Sequence, residues 1–175
     1  MMINIKHYLF ILSSFTTVFD FTQDHSANEY NLKAAFIYNF TKYVDWNSSS
    51  GENEFIIGVV GHSAIYVPLE IIANTKSVNG KRIQLRQFSS LNNYTFCNAI
   101  FISKNTDQSI EEILEKVERK GTLIISEKNG YALKGSAINF ILINNSVKFE
   151  INTNKLKVAG LNVSSQLLKL AIIVN

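Results

Sequence analysis

Cysteine and proline are nearly missing from this chain, whose 175 residues contain one of each. With Cys97 alone, no disulfide can form within the chain, so the fold has to stand on a hydrophobic core. The single proline and a hydrophobic fraction of 46% exclude a proline-rich linker, a collagen-like chain and a disordered polymer. The length fits one domain with a single core.

Long runs of one charge are missing as well. Lys and Arg number 17 against 14 for Asp and Glu, which gives a net charge of +3. The basic residues are scattered and are not interleaved with stacking aromatic side chains, as a nucleic-acid surface requires. We therefore expect no nucleic-acid partner.

The first residues have the order of a secretory signal. Lys6 and His7 precede an apolar stretch over residues 8–21, whose uninterrupted part, residues 8–12, is far too short to cross a bilayer. We predict a cleaved leader over residues 1–27, with an uncertain cleavage point, followed by one domain over residues 28–175. A buried N-terminal helix is the alternative. Export would place the domain in an oxidising compartment.

Residues 29–46 carry Leu32, Phe36, Phe40 and Tyr43 at steps of three and four, the spacing of an amphipathic helix. Asn28 is a plausible N-cap. The polar residues between the apolar rows, Lys33, Asn39 and Lys42, are expected to face solvent.

Strand-like runs follow, at residues 55–60, 82–88, 99–103, 122–126, 138–143 and 146–151. Three of them are nearly continuous apolar runs, which is typical of strands covered on both faces, and the helical stretches at 64–74 and 109–119 favour parallel connections. Asn144 and Asn145 predict a tight hairpin, and a last helix is expected from Ser164 to about Val174. The sequence predicts an α/β three-layer sandwich with a mixed, mostly parallel sheet of about six strands flanked by helices.

Candidate chemical sites are few. Gly61, His62 and Ser63 follow a strand and open a helical stretch, so a small ligand could bind there, yet the glycine pattern of a dinucleotide or phosphate loop is incomplete. His62 lacks the partners of a hydrolytic triad. His62 and Cys97 cannot build a zinc site, and Cys97 opens an apolar strand as a small buried residue would. We expect no enzyme activity, no metal and no cofactor.

The loop over residues 130–140 is the least ordinary stretch. Gly130 and Gly135 flank Tyr131 and Lys134 just ahead of a strand, which could bring backbone amides and a tyrosine close to a partner. A structural turn is the other interpretation.

Three segments together resemble one family. The first is residues 30–46, YNLKAAFIYNFTKYVDW, and the second joins FIIGVVG (55–61), VNGKRI (78–83) and CNAIFIS (97–103). The third runs from GTLIIS (121–126) through INF (138–140) and VKFEIN (147–152) to AGLNVSSQLLKLA (159–171). In this order they resemble the YfiR-like periplasmic proteins over essentially the whole predicted domain. The chain departs from the family pattern at Asn47, usually proline, at Lys134-Gly135, usually two glycines, and in having Cys97 alone.

The resemblance implies a non-enzymatic periplasmic repressor. Such a protein holds the periplasmic domain of an inner-membrane diguanylate cyclase inactive, is usually a homodimer, and can be sequestered by an outer-membrane lipoprotein. A sensor kinase with a periplasmic domain is a further possible partner. Aromatic residues anchor many interfaces, so Tyr131 with Lys134, and Tyr43 with Trp46 at the helix end, are the candidate contact residues, with core packing the alternative for the last two. A periplasmic small-molecule-binding module using Gly61, His62 and Ser63 is the alternative function.

Overall fold

The computed structural model describes residues 23–46, 54–117 and 120–175. Its helices are α1 Gln23–Tyr43, α2 Tyr66–Thr75, α3 Ile110–Lys116, α4 Tyr131–Lys134, α5 Thr153–Ala159 and α6 Ser165–Leu170, with a 3-10 turn at Leu91–Asn93. Its strands are β1 Val44–Trp46, β2 Glu54–Val60, β3 Ser77–Val78, β4 Lys81–Phe88, β5 Ala99–Ile102, β6 Leu123–Ser126, β7 Ile138–Ile143, β8 Ser146–Asn152, β9 Leu161–Val163 and β10 Ile172–Val174.

Eight of the strands form one curled sheet in the order β10-β8-β7-β6-β5-β2-β4-β3. The pairs β2–β4, β2–β5, β5–β6, β6–β7 and β8–β10 are parallel, and the pairs β3–β4 and β7–β8 are antiparallel. Helices flank the sheet, so the predicted three-layer, mostly parallel architecture is confirmed. The sheet has eight strands where the sequence predicted about six, because β3 and β10 are only two and three residues long.

Strand β2 is apolar from Phe55 to Val60 because both of its faces are covered. Phe55, Ile57 and Val59 point into a core shared with α1 and α2. Ile56 and Val60 point into a second core shared with α3 and the 3-10 turn. Because neighbouring residues of a strand face opposite sides, a strand buried on both faces needs an apolar residue at every position.

Helix α1 differs from the prediction at both ends. It begins at Gln23, so Asn28 lies inside the helix and is not its N-cap. Residues 1–22 of the predicted leader lie outside the described residues, and its cleavage stays a prediction. At the other end the helix stops at Tyr43, and Val44–Trp46 form β1, antiparallel to β9 in a separate two-stranded sheet. Hydrogen bonding to residues more than 100 positions away therefore ends the helix three residues early.

The buried face of α1 is also not the predicted one. The row that contacts the sheet is Tyr30, Ala34, Ile37 and Phe40, while Leu32 is 43% exposed. Phe40 belongs to both rows and packs against Phe140 and Phe149. The expected exposure of Lys33 is wrong, since this residue is 3% exposed. Asn39 and Lys42 are exposed as predicted.

The C-terminal helix is shorter than predicted. It ends at Leu170, and Ile172–Val174 form the edge strand β10, parallel to β8. Its leucines are not all buried: Leu167 packs in the core, whereas Leu170 is 69% exposed.

The hairpin and the α3 start agree with the sequence. Asn144 and Asn145 both have positive φ, 49° and 59°, and connect Ile143 to Ser146 in the β7–β8 pair. Asparagine adopts this conformation more readily than other non-glycine residues. Ser109 caps α3 in a capping box with Glu112.

Candidate functional site

A buried ionic cluster lies at the carboxyl edge of the parallel strands, where ligand sites of open α/β sheets are usually found. Its centre is Glu127, the residue after β6, whose side chain is 1% exposed. One carboxylate oxygen accepts a hydrogen bond from Lys33 Nζ at 2.6 Å. The other accepts from the backbone N–H of Lys104 at 3.2 Å and from the Tyr30 hydroxyl at 3.4 Å. We call Tyr30, Lys33, Lys104 and Glu127 the carboxyl-edge cluster.

Helix α1 supplies the cationic member of this cluster. Lys33 lies one turn beyond Glu29, and its ammonium contacts the Glu29 carboxylate at 2.5 Å as well as Glu127. The stem of Lys33 is buried beside aromatic rings, with Nζ 4.9 Å from the centre of Tyr30 and 5.9 Å from that of Phe140. A buried ammonium needs such partners, because desolvation of an isolated charge is costly. The ion pair thus fixes the first half of α1 on the sheet edge.

Tyr30 completes the cluster as a neutral donor. Burial raises the pKa of its phenol above the ordinary value, and the negative charge of Glu127 acts in the same direction, while Lys33 opposes both. The phenol is therefore protonated at neutral pH and able to donate to Glu127.

The predicted ligand residues lie beside this cluster, after β2. Gly61 has φ of 80°, and a Cβ there would come within 3.0 Å of Thr106 Cβ. The His62 carbonyl oxygen accepts hydrogen bonds from Ser103 Oγ at 2.9 Å and from Asn105 Nδ2 at 3.3 Å. The loops after β2 and β5 therefore fill the crevice between them with their own contacts. The His62 side chain is exposed, and ligand binding at this place stays a prediction.

The loop predicted as a partner surface contains the short helix α4. Tyr131 is 9% exposed and packs in the second core, contrary to the exposed position expected for it, with the Lys128 ammonium 5.6 Å from its ring centre. Lys134 is exposed at the end of α4. Gly130 precedes the helix with φ of 78°. Burial makes Tyr131 a packing residue of the loop, while Lys134 remains open to a partner.

Tyr43 and Trp46 lie at the opposite, amino-terminal edge of the sheet, so the structure does not bring them together with Tyr131. Tyr43 is 37% exposed. Trp46 is partly buried, packs edge-on against Phe55 at 5.1 Å between ring centres, and donates from Nε1 to the Asn98 carbonyl at 3.1 Å. These contacts give Trp46 a packing role, and its part in partner binding stays a prediction.

A second network of polar side chains joins β6, β7 and β8. Ser136 Oγ donates to Ser126 Oγ at 2.6 Å, and Ser126 Oγ donates to Asn139 Oδ1 at 2.6 Å. The Asn139 amide donates in turn to Glu150 at 3.0 Å. Asn152 caps α5 through its side-chain oxygen and donates to the Ala132 carbonyl. These polar groups hold β6, β7, β8 and the α4 loop in register.

Sequence reasoning missed Glu127 and Lys33. The signal for Glu127 was its place directly after the apolar run 122–126, where a covered strand reaches the carboxyl edge. The signal for Lys33 was its position between Tyr30 and Ile37, on the row that proves to be buried. An ion pair between Lys33 and Glu127 could have been predicted only if the buried face of α1 had been known.

The described part of the chain offers little else for chemistry. Within it, no group of three or more His, Cys, Asp or Glu side chains could hold a metal ion. No helix among the same residues is long and apolar enough to cross a membrane. Cys97 is fully buried, and burial raises its thiol pKa to about 11.

Comparison with solved structures supports the fold. A conserved domain protein from Vibrio cholerae O1 biovar El Tor is similar, with a TM-score of 0.52 and 11% sequence identity. The match covers 83% of this chain and 60% of that protein, so the chain spans less than two thirds of its length. At this identity the likeness concerns the fold alone.

A match to a family model is more specific than this likeness in fold, because it rests on the amino-acid sequence. The model described as YfiR/HmsC-like matches residues 30–172, from the Tyr30 of the carboxyl-edge cluster to the first residue of β10. This range contains both buried polar networks and the whole eight-stranded sheet except Ile173 and Val174. The chain belongs to the YfiR/HmsC-like family.

Proposed function

We propose that this chain is a periplasmic repressor that binds the periplasmic domain of an inner-membrane signalling protein, a diguanylate cyclase, and thereby controls cyclic di-GMP levels. The family match over residues 30–172 carries the proposal, since the family suggests a periplasmic regulator of cyclic di-GMP signalling and is not known as an enzyme family. The named cyclase, a homodimeric state and release by an outer-membrane lipoprotein are the finer parts of the proposal. A sensor kinase is the alternative partner.

The buried ionisable groups Lys33 and Glu127 pair with each other, which supports a binding role for the chain. Lys33 and Glu127 are within 2.6 Å of each other and almost inaccessible, which suits a brace between helix and sheet. General acid–base chemistry needs a group within reach of a substrate proton, and these two groups are turned inward. What the chain presents to other molecules is its surface.

Deleting the gene and measuring cyclic di-GMP tests this function. We expect the level to rise in the deletion strain and to return when the full-length chain is supplied. A chain lacking residues 2–27 is the matched control, because without the predicted leader it should stay in the cytoplasm and fail to restore the level. An unchanged cyclic di-GMP level in the deletion strain contradicts the proposal, and restoration by the leaderless chain contradicts the periplasmic site of action.

A further inference from the structure

A small cleft opens between α5, the end of α3 and the residues that follow α4. It has a volume of about 80 Å³ and is lined by Leu114, Thr122, Ile124, Gly135, Ala137, Lys155, Val158 and Ala159. That volume is room for two or three water molecules or a small aliphatic side chain, since one water occupies roughly 30 Å³. We call it the lysine-rimmed cleft.

Glycine and alanine keep the cleft open. A Cβ at Gly135 would come within 2.2 Å of Leu114 Cδ1. Ala137 and Ala159 are buried and contribute only methyl groups. At the mouth of the cleft, Val158 is 62% exposed. Leu156 and Ala159, on the other side of the same helix, are buried. An exposed aliphatic residue beside an apolar recess is a surface that a partner's side chain can cover.

One lysine lines the cleft and two more lie close to its lining residues in the sequence. Lys155 lines the cleft, Lys134 precedes Gly135, and Lys120 lies two residues before Thr122. One acidic residue, Glu115, follows the lining residue Leu114 on α3. In the ranges 23–46, 54–117 and 120–175, the ion pairs within 4.0 Å join Lys33 to Glu29 and Glu127, and Arg82 to Glu54. Lys155, Lys134 and Lys120 therefore have no carboxylate partner within these ranges.

We propose that the lysine-rimmed cleft is the docking surface for the protein partner, which inserts a small aliphatic side chain flanked by an aspartate or glutamate. The apolar floor selects the inserted side chain, and Lys155 with Lys134 selects the neighbouring carboxylate. The surface rests on the proposed function, because its occupant is the periplasmic segment of the signalling protein proposed above.

Site-specific photo-cross-linking in the producing cells tests the surface. A photoreactive phenylalanine replaces Val158 in the full-length chain. The matched control replaces Val67, which is likewise 62% exposed but lies on α2, a helix that contributes no residue to the cleft lining. We expect an adduct from position 158 and none to the same peptide from position 67. Mass spectrometry of the adduct should find a peptide with an aliphatic residue next to Asp or Glu.

Charge reversal separates docking from chance proximity. Lys155→Glu and Lys134→Glu, combined with the photoreactive residue at position 158, should each lower the adduct yield about five- to tenfold. Lys157→Glu, an exposed lysine of α5 outside the cleft lining, should leave it unchanged. Thermal melts of the three variants show whether each remains folded.

Several outcomes overturn the docking surface. They are equal adduct yields from positions 158 and 67, no adduct from 158, a yield insensitive to Lys155→Glu, or an adduct peptide that lacks acidic residues or comes from a second copy of this chain. If deletion leaves cyclic di-GMP unchanged but the acidic adduct forms, the proposed function fails and the docking surface stands. If deletion raises cyclic di-GMP but no acidic adduct forms, the docking surface fails and the proposed function stands.

Discussion

Replacing Lys33 by methionine should destabilise this protein severely, although lysine on a helix is ordinarily a surface residue. The substitution keeps the aliphatic stem and removes the ammonium. Among the described residues, the Glu127 carboxylate, with its side chain 1% exposed, then keeps hydrogen bonds only from the Lys104 amide and the Tyr30 hydroxyl. Removing one partner of a buried ion pair costs about 3–5 kcal/mol. With a urea m-value of about 2 kcal/mol/M, the unfolding midpoint should fall by about 1.5–2.5 M.

Urea titration followed by tryptophan fluorescence measures the loss, since Trp46 is the chain's one tryptophan and packs against Phe55. The double variant Lys33→Met with Glu127→Leu should recover to within about 1–2 kcal/mol of the wild type, because both charges are then gone. Lys42→Met, on the exposed side of the same helix, is the control and should cost less than about 1 kcal/mol. A loss below 1 kcal/mol for Lys33→Met, or a double variant as unstable as the two losses added, would refute the buried pair as a brace.

Three further predictions concern single positions. Folding favours the neutral Cys97 thiol, because burial raises its pKa to about 11. The resulting stabilisation is full below the unfolded thiol's pKa of about 8.5 and is lost as the pH rises through 11. The unfolding free energies of wild type and Cys97→Ser, measured by urea titration, should therefore converge by about 2–3 kcal/mol between pH 8 and 11. Gly61→Ala should cost about 2–3 kcal/mol in thermal unfolding, from positive φ and the Thr106 contact, whereas Gly80→Ala, with a similar φ of 79° and nothing within 4 Å, should cost about 1 kcal/mol. Asn145→Gly should raise the melting temperature by a few degrees, corresponding to about 0.5–1 kcal/mol, because Asn145 has φ of 59° in an exposed turn; a lower melting temperature would contradict this.

The strands were predictable because their signals are local. A continuous apolar run such as that of β2 requires cover on both faces, and the Asn144-Asn145 turn dictates the β7–β8 register by its own backbone preference. The short elements were not predictable on the same grounds. Val44–Trp46 continues a helical spacing, and only pairing with Leu161–Val163 makes it a strand. Ile172–Val174 did carry a β-branched signal, which the leucine-rich spacing before it outweighed.

The face of a helix is harder to read than the helix itself. In α1, the rows through Leu32 and through Tyr30 are both apolar, and periodicity alone cannot choose between them. The choice falls on the row with Ala34, a small residue at 0% exposure that lets the helix come close to the sheet. Because Lys33 adjoins that row, the same choice decides that its ammonium is buried and that Glu127 must face it.

The residues that carry the family resemblance explain why a family can be recognised while its partner surface stays hidden. Ser126 and Asn139, both from the third of the quoted segments, are fully buried and hydrogen-bond to each other. Such positions constrain the sheet, so a pattern built on them identifies the fold and the family more directly than the partner. Lys134 is different: it departs from the usual glycine, it is exposed, and it borders the lysine-rimmed cleft. A substitution at the surface can change a partner preference without disturbing the buried network, so this departure is where a preference particular to this chain should be sought.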